Sequence, residues 1–148
     1  MPGWHATFAT VVREAFATWE QVGLPVRFAF TDAPGDADVR VEWTERLSEQ
    51  RAGMIHWTAD ADGWLTQARI VLAMWVGDGA RADDASVRRI ALHEIGHLLG
   101  LEHGTDAGDI MAPWVRVNDL TERDRATARL LYELPPGEVG PGWHAVAS

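Results

Sequence analysis

The sequence predicts one α+β domain: a small twisted sheet backed by an N-terminal helix, a second helix carrying a cluster of histidines, and a C-terminal helix. Three observations lead there. The chain has 148 residues, the size of a single hydrophobic core. Its composition, 47% apolar and 24% charged, is that of a globular protein rather than a disordered one. Its apolar residues switch along the chain between helical and strand periodicity, with no internal repeat and no dividing linker. All of residues 1–148 are therefore assigned to one domain, with an irregular, glycine- and proline-rich tail from about 136.

The elements follow in order. Phe8, Val11, Val12, Ala15, Phe16 and Trp19 recur at helical spacing and predict an amphipathic helix from about residue 5 to 22. Gly23 ends it and Pro25 prevents its return. "VRFAFT" (26–31) and "VRVEWT" (39–44) alternate and predict strands, joined by the turn-rich "TDAPGDAD". "MIHWT" (54–58) and "ARIVLAMW" (68–75) predict two more, with Asp62-Gly63 as a hairpin signal between them. The aspartates closing "GDGARADD" suit the start of a helix from about Asp84 to Leu99. Thr121 offers an N-cap for a last helix, "ERDRATARLLYEL", which Pro135-Pro136 ends.

Charge narrows the partners. The net charge is −9, from 22 acids against 13 bases, which weighs against nucleic acid or an anionic membrane as the main partner. Cysteine is absent, which removes disulfides and thiolate metal sites. No run approaches the roughly eighteen apolar residues of a membrane span. The start, "MPGWHATFATVVREAF", lacks the features of a secretion signal. The expectation is a secreted or periplasmic protein whose targeting segment lies outside this chain, with a cytoplasmic protein as the alternative. Eight tryptophans are expected at core and rim positions, or lining a cleft.

The chemistry is concentrated in "HEIGHLLGLEH" (93–103), which holds three of the six histidines. His93 and His97 lie four apart on the predicted helix and project from one face. Glu94 is rotated about a quarter turn from them. Gly100 can take a left-handed conformation just past the helix and bring His103 back toward the pair. Three neutral imidazoles leave one position of a tetrahedral zinc open for water. Zinc can lower the pKa of that water to about 7, and an adjacent carboxylate can move its proton. These residues therefore contain the parts of a hydrolase site, with His93, His97 and His103 as ligands and Glu94 as general base. A chance His-Glu-x-x-His pair is the competing explanation, and the fixed positions of the glycine and third histidine weigh against it. A zinc-binding module without turnover is another. Glu94 weighs against that one, because a structural site closes its fourth position and has no use for a base.

The same stretch resembles the metzincin pattern His-Glu-x-x-His-x-x-Gly-x-x-His. Downstream, "DIMAP" (109–113) resembles the Met-turn of that clan, with Met111 as its methionine. Within the clan the chain is similar to a matrixin. "VVREAFATWEQV", "DADVRVEW" and "LTERDRATARLLYEL" resemble the first helix, the later strand and the last helix of that group. The likeness runs from about residue 8 to 134 and is dense only from 90 to 134. It implies a zincin-like fold with a mixed sheet, one catalytic zinc, and a zinc-dependent endopeptidase acting on peptide or protein substrates. A peptidase dedicated to processing one intracellular protein is an alternative form. The likeness also implies that Met111 underlies the ligands without binding metal. It makes "MIHWT", with Ile55, His56 and Trp57, an edge strand along which substrate pairs by β-augmentation. Finally, it makes "APWVRVND" a short pocket wall, with Pro113 and Trp114 as cleft candidates.

The departures from the pattern also carry expectations. The long loop that holds structural zinc and calcium in matrixins is short here, leaving His56 alone. Asp60 and Asp62 in "DADG" offer only a weak calcium site, and a plain hairpin turn is favoured. No cysteine switch is present. In "LTERD", Asp124 matches one of two aspartates common in matrixins, while Arg123 occupies the position of the other. A matrixin also begins with a strand that lies between the next two, and "MPGWH" is too short to supply it. The slot between 26–31 and 39–44 is therefore expected to be filled by the tail beyond Gly140, or by a second copy in a homodimer.

Overall fold

A computed structural model describes residues 2–77, 79–133 and 144–147 of the chain. Helix α1 (Thr7–Glu20) buries Phe8, Val11, Val12, Ala15, Phe16 and Trp19, the residues that set its helical period. Each large apolar side chain so buried stabilises the fold by about 1.5–3 kcal/mol. Three residues beyond the end of α1, Gly23 adopts φ +98° and turns the chain away.

Strands β1 (Val39–Thr44), β2 (Gly53–Ala59) and β3 (Leu65–Ala73) build the sheet, with β3 in the centre. β1 pairs with β3 in parallel, and β2 pairs with β3 antiparallel. The β2–β3 connection is the hairpin read from Asp62-Gly63. Gly63 takes φ +85°, and one Asp60 carboxylate oxygen accepts the backbone N–H groups of Asp62 and Trp64. A short ribbon of β4 (Trp75–Val76) and β5 (Ala80–Arg81) follows, and both Arg46 and Arg81 lie over the Trp75 ring. A last strand, β6 (His144–Ala147), pairs antiparallel with the outer edge of β2. The four-stranded sheet is therefore mixed, in the order β1-β3-β2-β6.

Helix α2 (Asp84–Leu98) begins in a reciprocal cap. The Asp83 carboxylate accepts from the Ser86 N–H, and the Ser86 hydroxyl accepts from the Asp83 N–H. The Thr7 hydroxyl also donates to Asp84, tying the start of α1 to the start of α2. The two helices pack together, and the indole N–H of Trp19 donates to the Leu92 carbonyl at 2.9 Å. That bond satisfies a buried donor and fixes α2 against α1 next to His93. The other side of α2 covers β2 and β3. Helix α3 (Glu122–Glu133) closes the described chain before β6. Among the described residues, no helix is long and apolar enough to cross a membrane.

Two expectations are corrected. The strand expected over 26–31 does not form. Val26 and Phe28 are half-buried against the core, and Phe28 and Phe30 meet Phe16 edge-on. The alternation there reports one-sided burial, which needs no ladder partner. The tail also does not fill a slot beside β1: its described strand lies at the opposite end of the sheet, on β2.

Candidate metal centre and active site

Helix α2 carries His93 and His97 on its buried face and stops directly after them. Gly100 has φ +100°; its N–H bonds the His97 carbonyl, and the Leu101 N–H bonds the Gly96 carbonyl. This Schellman pair ends the helix and reverses the chain. The reversal has two effects on the site. It delivers the Leu101 carbonyl to Nδ1 of His97 at 2.7 Å, and it returns His103 to face the helix.

Nδ1 of His93 likewise meets the Ile110 carbonyl at 2.7 Å. Each of these rings therefore donates its Nδ1–H to a backbone carbonyl, which leaves a lone pair on Nε2. The two Nε2 atoms lie 3.1 Å apart. Ligand atoms of His93, His97 and His103 all fall within 4.8 Å of one another. Lone pairs converging on one point, with tautomers fixed from behind, are the donor set of a cation-binding site. The residues present fit zinc, which takes imidazole nitrogen and tolerates three protein ligands.

Glu94 is buried beside the triad, 1% exposed, and its Oε2 has no hydrogen-bond partner. Burial pushes its carboxyl up to about 9, and the Arg51 guanidinium opposes that shift. The carboxylate forms part of a cleft of about 630 Å³, which is also lined by His93, His103, Arg51, Gly53, Arg89 and Trp114. Glu49 pairs with Arg51 at 2.9 Å on the rim of this space.

Behind the ligands lies a turn, Asp109–Ala112, closed by the Ala112 N–H on the Asp109 carbonyl. Its Met111 presses against Gly96, where a Cβ would come within 2.3 Å of the Met111 sulfur and 3.2 Å of Trp19. Its carbonyl accepts the Gly104 N–H at 2.8 Å, holding the residue after His103. The turn is anchored from α3. The Asp124 carboxylate, 3% exposed, accepts the backbone N–H groups of Ile110, Met111 and Thr121 and the Thr121 hydroxyl. Arg123 points instead to Asp109 and Asp106.

A comparison with known families decides the relationship. The matrixin family model matches residues 4–133. The chain belongs to the matrixin family. Matrixins use zinc, and the matched residues include this triad, which could bind a metal, and the turn behind it. Human matrix metalloproteinase-15 is 28% identical over 94% of this chain and 24% of its own length. The metalloendoproteinase 1-MMP of Arabidopsis thaliana is 30% identical over 83% of this chain and 37% of its own. The 72 kDa type IV collagenase of Gallus gallus is 42% identical over 36% of this chain and 8% of its own. This matrixin chain thus spans between about a quarter and two fifths of the first two relatives' length.

The structure brings His93, His97, His103 and Glu94 together, with Met111 beneath them. Pro113 and Trp114 line the same cleft, and Trp114 stands at its rim, 73% exposed. The edge-strand candidates lie elsewhere. Ile55 is fully buried in the core, and His56 and Trp57 line a second cavity with Asp38, Arg40 and Gln67. It is the residues just before them, Arg51 to Gly53, that reach the cleft.

Gly53, Gly96 and the anchoring role of Asp124 were not read from the sequence. A Cβ on Gly53 would lie 2.5 Å from Ile90 and 2.9 Å from Glu94 Oε1. The available signal was a glycine inside a strand and another inside a helix, each of which weakens its element unless something approaches closely.

Proposed function

We propose that this matrixin chain is a zinc-dependent endopeptidase domain in which His93, His97 and His103 hold one zinc ion and Glu94 is the general base. The observation that carries the proposal is the pairing of two features at one point. Imidazole lone pairs converge there, and a buried carboxylate with an unpartnered oxygen stands beside them. A site that only stabilised the fold would have no use for the second feature. The relatives named metalloproteinases support the same activity class.

A zinc ion held by the triad supplies Lewis acidity to water and to the scissile carbonyl. The chain's own groups supply the rest. Glu94, through Oε2, takes a proton from the attacking water and returns it to the departing amine. Its burial excludes bulk water from that transfer, and Arg51 offsets part of the cost of its charged form. The Ile110 and Leu101 carbonyls keep His93 and His97 in the tautomer that ligation requires. Arg51 to Gly53 on one side and Pro113 to Val115 on the other wall the cleft in which an extended peptide lies. Cleavage of an internally quenched peptide library tests the activity. Turnover should disappear with a chelator and return with added zinc; turnover unaffected by chelation contradicts the proposal.

A further inference from the structure

The outer edge of β2 is covered by the chain itself, and that edge runs into the cleft. Thr58, Trp57, His56 and Ile55 pair in turn with His144, Ala145, Val146 and Ala147. Gly53, two residues beyond Ile55 and so about 7 Å further along the strand, sits against Glu94. β6 is antiparallel to β2, so its direction points its C-terminal end at the cleft. An extended peptide laid into the cleft and continued along β2 would need the same backbone N–H and C=O groups that β6 uses. At the far end of the sheet, the outer edge of β1 carries no strand among the described residues. The cover therefore lies at the end of the sheet next to the site.

We infer that residues 144–147 are a built-in competitor for the peptide-binding edge, displaced when a longer substrate strand pairs with β2. This rests on the endopeptidase proposal, because the competition matters only if peptides enter the cleft. A four-residue ladder is short enough to give way to a longer strand. The occupant is this chain's own segment, whose pairing with β2 is seen directly.

Ala145→Pro and Val146→Pro, made separately in the full chain, test the inference. Proline has no N–H, and neighbouring strand residues direct their N–H groups to opposite edges, so one of the two variants removes a ladder donor. Hydrogen exchange at Ile55–Thr58 reads the pairing without any turnover. It should quicken by roughly tenfold in at least one variant. In that variant KM should fall by roughly threefold at unchanged kcat, because more of the protein is open to peptide. A synthetic WHAVAS peptide should also inhibit the proline variant competitively. Unchanged exchange in both variants overturns the inference, as does faster exchange with unchanged KM. Exchange that slows as protein concentration rises assigns the strand to a second copy and overturns the cover within one chain. If the parent cleaves nothing, the endopeptidase proposal fails separately. Binding of a labelled peptide by fluorescence anisotropy then decides the competition, with equal affinity for parent and variants overturning it.

Discussion

At the scale of single residues, two positions should respond sharply to substitution, in opposite directions. Gly96 lies where α2 passes between Trp19 and Met111, with no room for a methyl group. Gly96→Ala should destabilise by about 1–3 kcal/mol in urea denaturation, the usual cost of overpacking, despite the better helix propensity of alanine. Because the methyl strikes the Met111 sulfur, Gly96→Ala should cost less in a Met111→Ala background than in the parent, a coupling that a double-mutant cycle measures. Glu94 is strained electrostatically rather than sterically. Its folded carboxyl titrates near 9 against an ordinary 4.5, so between those pH values the folded state holds a proton that the unfolded state has released. Stability of the metal-free protein must therefore fall as pH rises from 4.5 to 9. Glu94→Gln lacks that slope. In the presence of chelator it should melt increasingly above the parent as pH rises, and match it near pH 4. Equal melting curves at pH 8 would contradict the burial of a destabilised carboxyl. Bound zinc favours the ionised form and should shrink the difference.

At the scale of elements, the site depends on α3 although no ligand comes from it. Asp124 holds the turn whose Ile110 carbonyl fixes His93. Asp124→Asn places an amide NH₂ where backbone N–H groups now donate. Stability should drop by about 1.5–3 kcal/mol, the range for hydrogen bonds to a charged group. Zinc affinity should fall roughly 10–100-fold, as when other supports of a ligand are lost, measured by competition with a chromogenic chelator. Affinity equal to the parent's would show that Asp124 supports only the fold. Asp109 acts beside it: the hydrogen bond from Arg123 holds its carboxyl below the ordinary range. Its contribution is therefore present above about pH 4 and lost as pH falls through the lowered value.

At the scale of the whole molecule, local signals were legible and pairing was not. The helices, the hairpin and the reversal at Gly100 were readable because each is decided by residues close in sequence. The period of Phe8 to Trp19 and the spacing of His93, His97, Gly100 and His103 each state their own geometry. Residues 26–31 misled because alternation records which side of a segment is buried, and Val26 and Phe28 are half-buried against the core, Phe28 on Phe16 of α1, without a neighbouring strand. β6 was invisible for the converse reason. "HAVA" is too short to announce a strand, and its partner on β2 lies more than eighty residues away. Gly53 and Gly96 carried a signal only in retrospect, since the sequence shows a glycine but not what presses on it. The chemistry was readable because it is local, whereas access to it is governed by tertiary contacts. The division of labour at the motif is therefore the point to test first. Zinc content after dialysis and peptide turnover, measured together on Glu94→Gln and His97→Ala, address it directly. Glu94→Gln should keep about one zinc per chain while turnover falls by at least roughly 100-fold, and His97→Ala should lose both. Zinc lost equally from the two variants, or turnover retained in Glu94→Gln, would contradict the assignment of ligand and base.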